Sequence, residues 1–278
     1  MRHSLLLAQA SVLMALVAAP AAAAATECKE GALGTSRVIA VDPTEHRHIG
    51  TMQYPETLPL EDHEVVLTFD DGPLPPRTNR VLDILAAECV KATFFIVGRM
   101  ASEYPALVRR AHDDGHTIAT HTQTHAPRIW TWPAAAIEAD IDQGIASVGQ
   151  ALGDPGAVAP FFRFPGLGRS AAVETYLSDK GIMVWSADFP ADDWRRIGPG
   201  QVLARALSRL ERKGRGVLLL HDIHTSTVLA LPQLLAELKR RQYGIVHVVP
   251  AGPDHPKTVT DPQQWVLHAP AKPAVTPR

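Results

Sequence analysis

Seven short, largely apolar segments are separated along this chain by stretches with helical spacing. They are Val65–Phe69, Ala92–Val97, Thr117–Thr120, Phe161–Phe164, Ile182–Ala187, Val217–Leu220 and Ile245–Val249. A strand with one wet face alternates apolar and polar residues, whereas these run apolar throughout, as strands do when both faces are covered. Helix patterns lie between them at Thr78–Glu88, Pro105–Asp114, Pro133–Leu152, Ser170–Gly181, Pro199–Lys213 and Thr227–Arg241. Strand–helix alternation of this kind builds a parallel sheet. The chain therefore reads as α/β. Its 278 residues, 46% of them hydrophobic, suffice for one barrel-sized domain.

The reactive residues are not scattered over this pattern. Asp70 and Asp71 follow the first strand, His121 the third, Asp188 the fifth and His221 the sixth, while Arg163 lies near the end of the fourth. All sit at carboxyl ends of strands. In a parallel α/β barrel those ends converge on one mouth, so a single composite site is expected.

The chemistry of that site follows from the residue types. Thr68-Phe69-Asp70-Asp71-Gly72-Pro73 offers two carboxylates, and His121-Thr122-Gln123-Thr124-His125 offers two imidazoles one helical turn apart. Asp71, His121 and His125 make a three-ligand metal site with open positions, and Asp70 is left as a base, the inventory of metal-assisted hydrolysis. Taken singly, the aspartates also read as a turn-capping pair and the histidines as exposed loop residues. His221, at the end of an apolar strand beside Asp222, suits a general acid, or else a core histidine bonded to backbone. Asp222 itself reads as a cap of the following turn. Arg163, flanked by phenylalanines, needs a carboxylate, with Asp70 the natural candidate and a structural ion pair elsewhere the alternative. Trp194 reads as a wall for a sugar or acetyl group, or as a half-buried loop aromatic.

Composition narrows the setting. A formal net charge of −2 argues against nucleic acid and anionic membranes as partners. Arg2 and His3, the apolar Leu5–Val17 and the small residues Ala18–Ala25 read as a secretory signal with cleavage before a mature start between Thr26 and Lys29. After its removal no transmembrane segment is expected, and the protein is expected to be secreted or periplasmic. The expected organisation is a signal peptide over 1–25, an irregular leader over 26–61, the catalytic domain over 62–250 and a proline-rich tail over 251–278. That tail reads as loose, with docking of Trp265 on the body as the alternative. Cys28 and Cys89 form one disulfide in an exported protein or stay as two thiols.

Together these segments resemble the polysaccharide deacetylase family, the NodB-homology domain of carbohydrate esterase family four, over roughly residues 62–250. Thr68–Pro73, His121–His125 and Leu218–Asp222 match family motifs, and Ala92–Phe95 is similar to the family's second strand. The resemblance implies an irregular (β/α)7 barrel of parallel strands in a single catalytic domain. It implies Asp70 as general base held by Arg163, and one divalent ion on Asp71, His121 and His125, usually zinc, with cobalt, nickel or manganese as alternatives. His221 is implied as general acid, oriented by Asp193, and Leu219 and Trp194 as the frame of an acetyl pocket. Two motifs depart from the pattern. Arg163-Phe164-Pro165-Gly166 carries glycine where the family has an aromatic, although Gly166 keeps the backbone amide that serves the oxyanion. The stretch Asp188–Trp194 is longer than usual, which leaves Asp193 first and Asp188 second as supporters of His221. The implied activity is removal of N-acetyl groups from an acetylated polysaccharide or oligosaccharide: peptidoglycan, a chitin-like oligomer or an exopolysaccharide. The alternatives are an O-acetyl esterase and an inactive carbohydrate-binding relative, the latter disfavoured by the presence of both Asp70 and His221.

Overall fold

The structure, a computed structural model, describes residues 28–267. The signal sequence, its cleavage zone before Cys28 and the end of the tail lie outside the described residues. All seven expected strands form, and three short ones join them. In chain order the strands are β1 (Arg37–Val41), β2 (His48–Ile49), β3 (Glu64–Asp70), β4 (Thr93–Ile96), β5 (Thr117–Thr120), β6 (Phe161–Phe162), β7 (Met183–Trp185), β8 (Phe189–Pro190), β9 (Gly216–His221) and β10 (Gly244–Pro250). The helices are α1 (Arg77–Ala87), α2 (Gly98–Glu103), α3 (Pro105–Asp113), α4 (Ala134–Leu152), α5 (Ala171–Asp179), α6 (Pro199–Lys213) and α7 (Thr225–Arg240). Local signals set their limits: proline opens α3 and α6, and left-handed Gly153 closes α4.

Every ladder between named strands is parallel, and the sheet runs β1-β10-β3-β4-β5-β6-β7-β2. β9 pairs with β3 over six residues, and β8 pairs with β9. The segment from Met183 to Pro190 thus bonds to β6 at its start and to β9 at its end, in two short pieces rather than one ladder. The sheet is not closed by continuous pairing, which makes the architecture an α/β fold of irregular, barrel-like form.

Strand periodicity divides the core. Val65, Leu67 and Phe69 of β3, Phe94 and Ile96 of β4, and Leu218 and Leu220 of β9 join one cluster with α1, α3, α6 and α7. Val66, Phe95 and Val217, on the opposite face, join a second cluster with Ile39, Leu58, Trp185 and Trp265. Because successive strand residues point to opposite faces, Thr68 and Asp70 share the face of Val66, and Leu219 and His221 share the face of Val217.

Residues 26–61 were expected to lack regular structure, but β1 and β2 lie there. Their partners, β10 and β7, are more than a hundred residues away, so no local periodicity announces them. Trp265 docks: it is buried, and its ring stacks on His46 at 3.3 Å. A disulfide joins Cys28 to Cys89 across 61 residues, tying the start of the described chain to the end of α1. A cross-link of that span restricts the unfolded chain, so Cys89→Ser is expected to cost about 2–4 kcal/mol. Calorimetry should record a fall of roughly 4–16 °C in Tm for a domain of this size. An unchanged Tm would mean that the bridge constrains nothing the fold does not already fix. Among the described residues, no helix is long and apolar enough to cross a membrane.

Candidate active site

Register places the first two residues. Asp70 ends β3 and His221 ends β9, and the ladder makes them direct partners. Both therefore emerge side by side from the same face of the sheet. Asp71, next in sequence, would point the opposite way in a continuing strand. It instead takes a left-handed backbone at φ 77°, which ends the strand and swings its carboxylate to the same mouth. Gly72 follows where a side chain has no room: a Cβ there would sit 2.1 Å from Asp222 Oδ2.

The two histidines reach Asp71 by a different route from the helical turn expected. Residues 121–125 form a loop in which Thr122 and His125 both adopt left-handed backbone, at φ 65° and 50°. The loop is fixed from below by α4. Asp140 Oδ1 accepts from the Gln123 and Thr124 amides at 2.9 and 3.2 Å, and Gly144 lets the helix approach the Thr122 backbone. His121 Nε2 lies 3.4 Å and His125 Nε2 3.0 Å from Asp71 Oδ1. Among the described residues, these three form the one group able to converge on a metal ion.

The group fits a divalent cation on three counts. His121 Nδ1 lies 2.6 Å from the Arg163 carbonyl, so its proton is committed there and the Nε2 lone pair faces Asp71. Asp71 Oδ1 is buried without a hydrogen-bond partner. Burial works against the Asp71 carboxylate, and protonated imidazoles beside it would hold it well below its ordinary range, so its charged form depends on positive charge at this spot. The same contact raises His125 despite its burial. An anion that demands positive charge, beside two nitrogen donors, is a group that could hold a metal ion.

Around this cluster stand the remaining residues. Asp70 is buried, with Oδ1 2.6 Å from Arg163 Nη1 and Oδ2 3.9 Å from His121 Nε2. Arg163 is fully buried; it also donates to Thr68 Oγ1 at 2.9 Å and to the Ser186 carbonyl at 2.9 Å, and its guanidinium lies 4.1 Å over the Phe95 ring. His221 Nε2 is 4.0 Å from Asp71 Oδ2. Its Nδ1 lies 2.8 Å from Asp193 Oδ1, while its backbone amide donates to Asp193 Oδ2 at 2.7 Å. Thr227 Oγ1 donates to that same oxygen at 2.6 Å. Burial favours the neutral ring of His221, but the Asp193 bond and charge, with Asp71 and Asp70 beyond, outweigh it and raise the pKa to about 9.

Asp188 is engaged elsewhere. Its Oδ1 accepts from the Thr51 amide at 2.9 Å and hydroxyl at 2.7 Å, and its Oδ2 from Thr57 Oγ1 at 2.6 Å and the Val217 amide at 2.8 Å. All its capacity goes to pinning residues 51–57 onto β9. Asp222 does not cap its own turn. It is buried against Gly72 and accepts from Thr78 Oγ1 of α1, and burial pushes its carboxyl up to about 7.

Asp70, Asp71, His121, His125, Gly166, Trp194, Leu219 and His221 line one cavity of about 450 Å³, joined by Met52 and Leu167, which the sequence reading missed. Trp194 is 45% exposed and meets His221 edge-on at 5.7 Å. Leu219 is buried at the cavity floor. Met52 gave no signal because it lies in the segment without periodicity. Thr227 and Asp140 gave none because they act through helices remote in sequence.

Comparison with known proteins points in the same direction. The model of the polysaccharide deacetylase family matches residues 58–185, a stretch that ends before Asp193 and His221. A chitooligosaccharide deacetylase of Sinorhizobium fredii is 34% identical over 64% of this chain and 87% of its own length. A peptidoglycan-N-acetylglucosamine deacetylase of Bacillus cereus is 31% identical over 64% of this chain and 66% of its own. Among solved structures, a peptidoglycan deacetylase of Bdellovibrio bacteriovorus superposes with a TM-score of 0.71 at 30% identity, over 81% of this chain and 62% of that one. This chain therefore spans less than two thirds of the Bdellovibrio protein.

Proposed function

Since this chain belongs to the polysaccharide deacetylase family, we propose that it is a metal-dependent hydrolase that removes N-acetyl groups from a glycan. One observation carries the reading: the Asp71–His121–His125 group, Asp70 and His221 share one cavity, with Asp70 and His221 paired in the ladder that forms its floor. A divalent ion on Asp71, His121 and His125, zinc first and cobalt, nickel or manganese as alternatives, supplies Lewis acidity toward the acetamide carbonyl and the attacking water.

The protein's own groups do the rest. Asp70 is the general base that takes the proton of the attacking water, and Arg163 holds its Oδ1 so that Oδ2 faces the ligands. Leu167 and Gly168 spend their amides on the Phe164 and Pro165 carbonyls, which leaves the Gly166 N–H as the turn's donor to the developing oxyanion. His221, kept protonated by Asp193, gives its proton to the departing nitrogen. Leu219 and Trp194 frame the acetyl methyl group. The glycan is a chitin-like oligomer, peptidoglycan or an exopolysaccharide, and the enzyme works outside the cytoplasm.

Acetate release from a panel of these N-acetylated glycans and an O-acetylated xylan, with and without added zinc, tests the reading. No release from any substrate under metal-replete conditions refutes it, and release from xylan alone converts the assignment to an esterase. Asp193 supplies a further check. Without its charge His221 loses a proton more readily, so the protonated acid disappears at lower pH. The alkaline limb of the pH–rate profile is expected to move to lower pH in Asp193→Asn, with reduced turnover. If Asp188→Asn alone produced that shift, the role would belong to Asp188.

A further inference from the structure

Gly166 and Leu167 of the turn Pro165–Leu167 line the cavity, and beyond Pro165 the turn's own sequence gives it little stiffness. Gly166 has no side chain to pack. Gly166 and Leu167 both hold left-handed backbone, at φ 60° and 53°, a conformation that a leucine adopts only where its surroundings enforce it.

Two residues from distant parts of the chain supply that enforcement. The Trp130 ring covers both glycines of the turn: a Cβ added at Gly168 would lie 2.0 Å from the ring and one at Gly166 3.6 Å from it. Trp130 is itself seated on the cluster of Ile129, Phe162 and Phe164. The second residue is Gln53, whose side-chain amide donates to the Leu167 carbonyl. The Gln53 backbone carbonyl accepts in turn from Arg169 Nη1 at 3.3 Å, and Arg169 pairs with Glu174 at 2.9 Å. Gln53 lies ahead of the stretch that matches the family, which begins at residue 58. The turn is also continuous with the chemistry. Arg163, three residues before Gly166, holds Asp70 with its guanidinium and His121 with its carbonyl.

We propose that Trp130 and Gln53 are positioning residues for the reaction. They clamp the Gly166–Gly168 turn against the cavity and supply from outside the rigidity that Gly166 does not supply itself. The proposal rests on the deacetylase reading of the site. A misplacement of this kind costs rate rather than affinity, because the turn's donor is needed where charge develops.

The test is Trp130→Ala, with Trp130→Phe as the conservative variant, in the metal-loaded full chain. Amide hydrogen exchange over residues 163–169 is expected to speed up by about tenfold or more in Trp130→Ala, with the exchange of β3 and β9 unchanged. On whichever glycan the wild type deacetylates, kcat is expected to fall about 10- to 100-fold with KM little changed. Trp130→Phe is expected to restore most of both. If Trp130→Ala fails to fold, Gln53→Ala carries the same measurements, with a loss of about 2- to 10-fold in kcat for one hydrogen bond. Unchanged exchange overturns the clamp, whatever happens to catalysis. A loss confined to KM also overturns it, since Trp130 would then be a substrate contact. If the wild type releases no acetate from any glycan, the deacetylase reading fails, and exchange alone decides whether the clamp exists.

Discussion

Asp70→Asn is expected to bind metal at the wild-type ratio and to lose acetate release by about 10²–10⁴-fold. The metal should stay because Asp71, His121 and His125 are untouched, and Asp70 Oδ2 is 3.9 Å from the nearest ligand nitrogen. Turnover should go because an amide cannot take a proton from water. The substitution has a second consequence. Arg163 is fully buried and its carboxylate partner is Asp70, so the variant leaves a buried cation without a counter-charge. Breaking such a pair costs up to about 3–5 kcal/mol. The assay must therefore run well below the variant's Tm, with metal content measured on the same sample. A folded, metal-loaded Asp70→Asn with activity within a few-fold of wild type would show that Asp70 serves only to balance Arg163.

His121→Ala is expected to abolish both stoichiometric metal and activity. His121 is buried, its Nδ1 is locked to the Arg163 carbonyl and its Nε2 faces Asp71, so its removal takes away one of the three donors of the group. Two remaining ligands make a poor site for a first-row ion. The variant also opens a void and leaves a buried carbonyl unpartnered, so part of the loss could come from the fold. His125→Ala separates the two effects, because the His125 side chain is 30% exposed and its removal leaves little void. Both proteins should contain substoichiometric metal by elemental analysis, with only His121→Ala losing much stability. Full metal content in either would remove that histidine from the ligand set.

Much of this was legible in the sequence, for identifiable reasons. Continuous apolar runs mark strands covered on both faces, and the parallel sheet follows from their alternation with helices. Asp70, Asp71, His121 and His221 stand at strand ends, and parallel connectivity alone brings such ends together. The resemblance agrees with the family match over residues 58–185 and with the solved folds.

Only the tertiary structure decided which groups meet. Asp70 and His221 lie 151 positions apart by their numbers, and the ladder between β3 and β9 makes them neighbours. Asp193 and Asp188 are equivalent on chemistry alone. The path of one loop brings Asp193 to His221 and commits Asp188 to Thr51, Thr57 and Val217. His121 and His125 converge through two left-handed residues and the Asp140 anchor, not through the helical turn their spacing suggested. Cys28 meets Cys89, and Gln53 and Trp130 meet the Gly166 turn, by contacts between segments far apart in the chain. The physical reason is range. Side-chain type, burial pattern and turn chemistry act over a few residues and are written locally, whereas register and loop path are fixed by packing the whole sheet at once.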